Sequence, residues 1–159
     1  MNIDAFSRRS FHSSRVRLAA IMLLTLPWST SAFCSQIEKA IKKGDVDQVK
    51  AMVEADPGLI SKKFGLLGDT LLSIAAEDCK IEVVKLLLDE HAEVDSRDHL
   101  GLTPLFDAAG SGCADVAQVL LVHGANPNAK NKSGETVMWW ANNSKHTNVA
   151  DVLRLFGGK

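Results

Sequence analysis

The sequence lacks a hydrophobic run long enough to span a membrane. Its apolar run from Leu18 to Leu26 is about half of the ~20 residues that a membrane-crossing helix requires. A permanent membrane anchor is therefore not expected.

Positive charge is sparse beyond the N-terminal region. Four of the six arginines lie between Arg8 and Arg17, and the other two, Arg97 and Arg154, are far apart. Residues 33–159 contain 14 of the 18 basic residues and 18 of the 19 acidic ones, a formal charge of −4. Nucleic-acid binding is not expected, because no clustered positive face is available to neutralise a phosphate backbone.

Motifs for metal binding and catalysis are missing as well. No histidine pairs with another histidine or with a cysteine at metal-ligand spacing, and this holds for His12, His91, His99, His123 and His146. The chain has no phosphate-binding loop, nucleophile elbow or paired-carboxylate motif. The sequence thus predicts no metal site, no cofactor and no enzyme.

The first feature that the sequence does contain is a targeting segment, residues 1–32. A basic start is followed by the apolar run and then by the small residues Ser29 to Ala32. This order is typical of a secretory signal peptide, and we expect cleavage after Ala32.

The basic part of this segment bears on the export route. Ser7-Arg8-Arg9-Ser10-Phe11 resembles the twin-arginine export signature. A Sec signal with a chance arginine pair and a mitochondrial presequence remain alternatives, since the segment is also rich in Arg and Ser and poor in acids. Both bacterial routes predict a periplasmic or secreted protein. Lipidation of Cys34 is not expected, because the residues before it lack a lipobox leucine.

A repeat of constant period organises the rest of the chain. Residues 68–76 align with 101–109 and with 134–142, and the glycines and threonines stay in step. Apolar positions further along, such as Leu87 and Leu120, follow the same period. A fixed period of 33 residues, the distance from 68 to 101 and from 101 to 134, predicts structural units that stack on one another.

One unit, residues 101–131, indicates the local structure. Pro104 suits the first turn of a helix, because its missing N–H would have no partner there. The stretch 110–112, Gly-Ser-Gly, breaks the chain before a second helix from about Ala114 to His123. Gly124 then ends that helix as a left-handed cap, and an extended finger follows.

These residues resemble the ankyrin-repeat family through Gly101-x-Thr103-Pro104-Leu105, Ala108-Ala109, Gly112 and Leu120-Leu121-x-x-Gly124-Ala125-Asn126-Pro127-Asn128. The resemblance implies an all-α fold, an ankyrin-repeat solenoid of about four helix-turn-helix repeats with β-hairpin-like fingers. We place this domain at 33–159, with repeats at about 35–64, 65–97, 98–130 and 131–159. The first and last repeats are expected to act as caps.

Two departures from the family pattern affect these expectations. The histidine usual in the first helix is replaced by Ser73, Phe106 and Trp139, so we expect packing to hold those turns. His91 replaces the glycine that ends a second helix, where a left-handed backbone would cost about 1 kcal/mol. We expect that repeat to end differently or to be softer.

The three cysteines, Cys34, Cys79 and Cys113, form no Cys-x-x-Cys motif, and their number is odd for an oxidising compartment. Cys79 and Cys113 fall in neighbouring repeats. Stacked repeats lie ~10 Å apart, beyond the ~7 Å Cα separation that a disulfide spans without movement. We therefore expect free thiols.

The resemblance also implies a binding surface, because partners of ankyrin proteins usually dock on the concave face formed by the fingers and the ends of the first helices. The matching positions are Leu66, Leu67, Asp69, Glu77, Asp78, His99, Leu100, Leu102, Ser111, Lys132, Glu135, Asn143 and Ser144.

The leucines among these positions allow two interpretations. They form either an exposed apolar ridge with an acidic border, as at the core of an interface, or a set of contacts between fingers. Trp139 is expected to plug the last repeat, while Trp140 fits either the core or a contact surface.

The function predicted is a non-catalytic interaction module in the periplasm. It would bind one protein, such as an enzyme or toxin that it inhibits, protects or assists, and it would be monomeric when free. Two alternatives stay open. One is a thiol-based redox factor or undetected enzyme that uses Cys79 and Cys113, and the other is a eukaryotic organellar adaptor.

Overall fold

The computed structural model describes residues 30–159, which form four consecutive pairs of helices. The pairs are α1 Thr30–Lys43 with α2 Val46–Ala55, α3 Leu71–Glu77 with α4 Ile81–Asp89, α5 Pro104–Ser111 with α6 Ala114–Val122, and α7 Val137–Asn143 with α8 Thr147–Leu155. A short 3-10 helix, Pro57–Ile60, follows α2. The predicted fold class, a helical solenoid of stacked repeats, is confirmed.

The predicted signal segment falls almost entirely outside the described residues. Only its last three residues, 30–32, are described, and they belong to the first turn of α1. The arginine pair and the apolar run lie outside. Among the helices of residues 30–159, none has the length and apolar character needed to cross a membrane.

The helix pairs stack in two layers. First helices pack on first helices, α3 on α5 and α5 on α7, while second helices form a parallel layer of α4, α6 and α8. The interior of the first layer contains small residues, because Ala75, Ala76, Ala108, Ala109 and Ala141 are all fully buried. Their size lets neighbouring helices approach closely, so the order of the repeats is also the order of the core.

The starts of the first helices correct one expectation. In the second repeat Thr70 Oγ1 accepts a hydrogen bond from Ser73 N at 3.2 Å. The same hydroxyl lies 3.1 Å from Ser73 Oγ and 3.3 Å from Ser96 Oγ, all of them buried. The expectation that packing alone holds this turn was wrong, since a hydroxyl network holds it. In the third repeat Phe106 is fully buried and packing does the work.

The end of the second repeat corrects another expectation. His91 adopts a left-handed backbone with φ 64°, as Gly124 does one repeat later with φ 92°. That repeat therefore ends like its neighbour instead of differently. The cost for a residue with a Cβ is about 1 kcal/mol.

The cysteines correct the expectation of free thiols, because Cys79 and Cys113 form a disulfide with a Cα–Cα distance of 5.4 Å. The ~10 Å spacing applies to equivalent positions of stacked repeats, whereas these two residues are offset by one. Cys79 is a left-handed turn residue with φ 55°, and Cys113 caps the start of α6 in the next repeat. Cys34 is a free, half-buried thiol against the core.

Candidate functional site

The fingers lie on one side of the solenoid, and their tips are joined by backbone hydrogen bonds. His99 N donates to Leu67 O at 2.8 Å, and one repeat later Lys132 N donates to Leu100 O at 2.9 Å. The same contact thus recurs at positions that are equivalent in the alignment of the repeats. The tips form a continuous edge and not a set of separate loops.

Side chains tie the bases of the same fingers together. Lys63 Nζ donates to Arg97 O at 2.7 Å. Arg97 Nη1 in turn donates to Lys130 O at 2.7 Å. Three successive fingers are therefore fixed relative to one another at both base and tip.

Three leucines stand exposed on this edge. Leu66 is 96% exposed, Leu67 47% and Leu100 49%. Leu102, by contrast, is half-buried and packs against the core. We call Leu66, Leu67 and Leu100 the finger-tip ridge, and of the four predicted leucines only Leu102 folds back onto the core.

The first helices form the floor beside this ridge. The side of α5 that packs on its neighbours contains Leu105, Phe106, Ala108 and Ala109, all fully buried. Pro104 is buried as well, and the three residues of α5 that are not, Asp107, Gly110 and Ser111, are spaced by three and four positions and so share one face of the helix. Asp107 occupies the position that Ile74 and Trp140 occupy in the neighbouring repeats.

Trp140 of the last repeat packs against α5 at two positions. Its ring meets Phe106 edge-on, with centroids 5.9 Å apart. The indole also lies on Gly110, where an added Cβ would be 2.8 Å from Nε1. Glycine at this position lets the half-buried indole lie against α5.

Trp139 does not plug the last repeat as expected, because its side chain is 47% exposed. The equivalent residue Phe106 is covered by the next repeat, through Trp140. The ring of Trp139 instead meets that of Trp140, with centroids 6.0 Å apart.

Asp107 has the most unusual titration of the described residues. Burial, followed by the negative charges of Asp69, Glu77 and Asp98, raises its pKa to about 8. A hydrogen bond with Ser73 acts in the opposite direction. The carboxyl group is thus mainly protonated at neutral pH.

Asp69 is affected in the same way. Its pKa is raised by burial and by Asp98, against the influence of Lys63 and His99. We call the set of Asp69 and Asp98 in the fingers and Glu77 and Asp107 on the first helices the acidic floor. Two of these, Asp98 and Asp107, were not among the predicted positions.

Asp98 also shapes the finger. Its Oδ1 accepts hydrogen bonds from Leu100 N at 2.8 Å and from Leu102 N at 2.7 Å. Asn131 plays the equivalent part in the next finger, accepting from Ser133 N and Glu135 N. The Asp98 carboxylate therefore stabilises the turn of its finger and also adds negative charge to the acidic floor.

The other predicted positions fall into two further groups. His99 and Lys132 lie at the finger tips, and the Nδ1 of His99 is 3.1 Å from Leu66 O. The rest stand where the fingers meet the first helices or where those helices end: Leu102, Glu135, Asp78, Ser111, Asn143 and Ser144. The structure thus brings the ridge and the floor together, while Asn143 and Ser144 lie in the outermost repeat.

No group of three or more His, Cys, Asp or Glu residues within 30–159 is arranged to hold a metal ion. The chemistry that the arrangement offers is that of a contact surface, with an apolar edge and an acidic floor.

Stacked helix pairs with fingers on one side define a class of repeat proteins that present an extended concave surface. The family model for ankyrin repeats, in three copies, matches residues 37–131. The chain belongs to the ankyrin-repeat family.

Similar proteins match part of this chain, and the chain spans only a small part of each of them. The chain is 40% identical over 87 residues to ankyrin repeat and KH domain-containing protein 1 of Homo sapiens, which is 54% of this chain and 3% of that protein. It is 37% identical over 83 residues to serine/threonine-protein kinase 12 of Arabidopsis thaliana, covering 52% of this chain and 18% of the kinase. Ankyrin repeat and SAM domain-containing protein 6 of Mus musculus is 38% identical over 98 residues, 61% of this chain and 11% of that protein.

Proposed function

We propose that this protein is an exported, non-catalytic binding module that holds one partner protein on its concave face and modulates that partner's activity. Ankyrin repeats are protein-interaction modules as a family. The partner proposed is an enzyme or toxin that the module inhibits, protects or assists in the periplasm.

The observation that carries this proposal is the exposure of the finger-tip ridge. Exposed leucines are costly to keep in water, and a contiguous apolar edge beside charged groups is typical of an interface. The hydrogen bonds between the tips fix the ridge in place, so little conformational entropy is lost when a partner docks.

The proposal that the protein is exported has two supports. Residues 1–32 have the order of a signal peptide. The disulfide between Cys79 and Cys113 favours an oxidising compartment, since disulfides are rare in cytosolic proteins. The relatives compared above are from animals and a plant, and they give no support to a bacterial source.

The experiment for the binding role is a pull-down from the protein's own host with mass spectrometry of the captured material. The test variant carries Leu66→Asp and Leu100→Asp. The matched control is Leu155→Asp, because Leu155 is 84% exposed but lies on α8, away from the fingers. We expect the natural protein and the control to capture one stoichiometric partner, and the double variant to capture none. The natural protein, the double variant and the control should all have the same melting temperature.

The experiment for export is N-terminal sequencing of the protein recovered from each compartment of its host. Cleavage after Ala32 in the periplasmic fraction supports the proposal. Retention in that fraction after Arg8→Lys and Arg9→Lys would favour the Sec route over the twin-arginine route.

A thiol–disulfide factor is the second candidate function, because the disulfide itself provides the required pair. Cys79 is exposed and Cys113 is nearly buried, at 6% exposure, so an attacking thiolate would reach Cys79. Equilibration in dithiol buffers distinguishes the two roles. A reduction potential below about −300 mV is typical of a structural disulfide, and one between about −120 and −270 mV is typical of redox factors.

A further inference from the structure

The concave face combines two kinds of surface that belong to the same repeats. The finger with Leu66 and Leu67 leads into α3, which ends at Glu77, and the finger with Leu100 leads into α5, which contains Asp107. Apolar contacts at the tips are therefore accompanied by carboxyl groups on the floor. A partner that covers the finger tips therefore also contacts the carboxyl groups of the floor.

We propose that this face binds a segment of the partner protein in which a lysine or arginine stands among apolar side chains, with the cation on the acidic floor and the apolar side chains on the finger-tip ridge. This inference rests on the proposed function and names the chemistry of the partner.

Charge complementarity selects a cation over other occupants. The negative charges of Asp69, Glu77 and Asp98 all raise the energy of the ionised Asp107 carboxyl group. A positive side chain placed there would replace repulsion by attraction in a partly desolvated site, where charged hydrogen bonds are strongest. A negative partner, including a nucleic-acid backbone, would add to the repulsion.

Within residues 30–159, few positive groups compete for this position. Lys63 and His99 act on Asp69 at the edge of the floor, and Lys63 Nζ is already bonded to Arg97 O. On the other side of Asp107, α7 contains no ionisable side chain. Behind α5, Asp115 of α6 lines a groove with Lys85 on the opposite face of the solenoid.

Trp140 adds a second feature that suits a cation. Its half-buried ring stands at the position equivalent to Asp107, one repeat along. An indole face attracts a guanidinium or ammonium within about 6 Å of its centroid. A partner arginine on the floor would thus lie between carboxyl groups and an aromatic ring.

A proton change should accompany binding. Asp107 has a pKa of about 8 when the face is empty, and a cation beside it lowers that pKa. The free protein must then release a proton on binding, so affinity rises with pH toward 8 and levels off above it. Because a single proton is released, the affinity cannot change by more than tenfold per pH unit.

The test is selection of peptides from a random phage-displayed library on the full purified chain, followed by affinity measurement for the strongest peptide. We expect Lys or Arg at a fixed distance from apolar residues in most selected sequences. Glu77→Gln with Asp107→Ile should weaken the peptide about tenfold or more, while Asp115→Asn should not. Isoleucine is chosen at 107 because Ile74 fills the equivalent position.

The pH profile provides a readout that a merely structural role would not move. The peptide should bind more tightly at pH 8 than at pH 6, and Asp107→Asn should flatten that dependence. Selected peptides without basic residues that still compete with the captured partner would overturn this inference and leave the proposed function standing. Failure to select any peptide, together with an empty pull-down, would overturn both.

Discussion

The same contact between neighbouring repeats is made with different chemistry at two places. Between the second and third repeats, a left-handed turn residue and a helix-cap residue are joined by the Cys79–Cys113 disulfide. Between the third and fourth, Gly112 lies under the ring of His146, and a Cβ there would be 2.6 Å from its Nδ1. His146 Nε2 donates to Gly110 O at 3.0 Å.

The two interfaces also differ in what they bury. On the side of the fourth repeat, α5 offers Phe106 to Trp140 in an edge-on aromatic contact. On the side of the second repeat, Asp107 lies among the carboxyl groups of Asp69 and Glu77. The same backbone arrangement therefore accepts a well-packed aromatic interface between the third and fourth repeats and an unfavourable acidic one between the second and third. The disulfide lies at the acidic interface.

The largest expected effect comes from removing that bond. Cys79→Ser with Cys113→Ser opens a link between residues 34 positions apart, and the chain-entropy account predicts a loss of about 4 kcal/mol in the free energy of unfolding. Urea unfolding measures it, with Cys34→Ser as control. An unchanged unfolding midpoint in the double variant would show that the bond adds no stability.

The acidic interface should make stability depend on pH. The folded pKa of Asp107, about 8, lies above its usual value of 3.8, so the folded state keeps a proton that the unfolded state has lost. Stability therefore falls as pH rises between these values, by at most about 1.4 kcal/mol per pH unit, and is constant above them. The free energy of unfolding should therefore decrease by about 2 kcal/mol from pH 6 to pH 8.

Asp107→Asn should remove most of this slope, and urea unfolding at pH 6, 7 and 8 measures it. Asp115→Asn is the control, because Asp115 is an exposed acid on the neighbouring helix. A slope that persists in Asp107→Asn would assign the proton to another group.

The covalent contact should be transferable to the other interface. In a chain with all three natural cysteines changed to serine, Gly112→Cys with His146→Cys occupies the positions equivalent to the natural pair. We expect a disulfide that restores about 2 kcal/mol, since a Cβ at the left-handed Gly112 and the lost His146 hydrogen bond each cost about 1 kcal/mol. Thiol titration before and after reduction detects the bond.

The smallest effect is expected at the end of the second repeat. His91→Gly should raise the free energy of unfolding by about 1 kcal/mol, because glycine adopts the left-handed backbone without strain. Gly124→His, the reverse change one repeat later, should lower it by a similar amount. Equal stability of His91→Gly and the natural protein would mean that this turn is not strained.

The sequence contained enough to predict the fold, because the signals are local and repeated. Thr70, Thr103 and Thr136 recur with the period of the repeat, each at the start of a first helix, and Gly124 ends a second helix as expected. The threonine side chain that caps a helix at Thr70 and Thr136, the proline and the left-handed glycine each fix a few dihedral angles on their own. Their period then fixes the stacking.

The disulfide and Asp107 could not be reached by the same reasoning. Comparison of equivalent positions misses a diagonal contact such as that between Cys79 and Cys113. Asp107 did have a signal in the sequence, because it interrupts a position that is otherwise Ile74 and Trp140. Its importance follows only from the burial and the neighbouring charges that the folded stack creates.

Hydrogen exchange of the protein with and without its captured partner tests the central claim most directly. Binding on the concave face predicts slower exchange in the fingers, residues 64–70 and 97–103, and in α5, with no change in the outer helices α4 and α6. Protection confined to α4, α6 and α8 would place the partner on the opposite face and contradict the account.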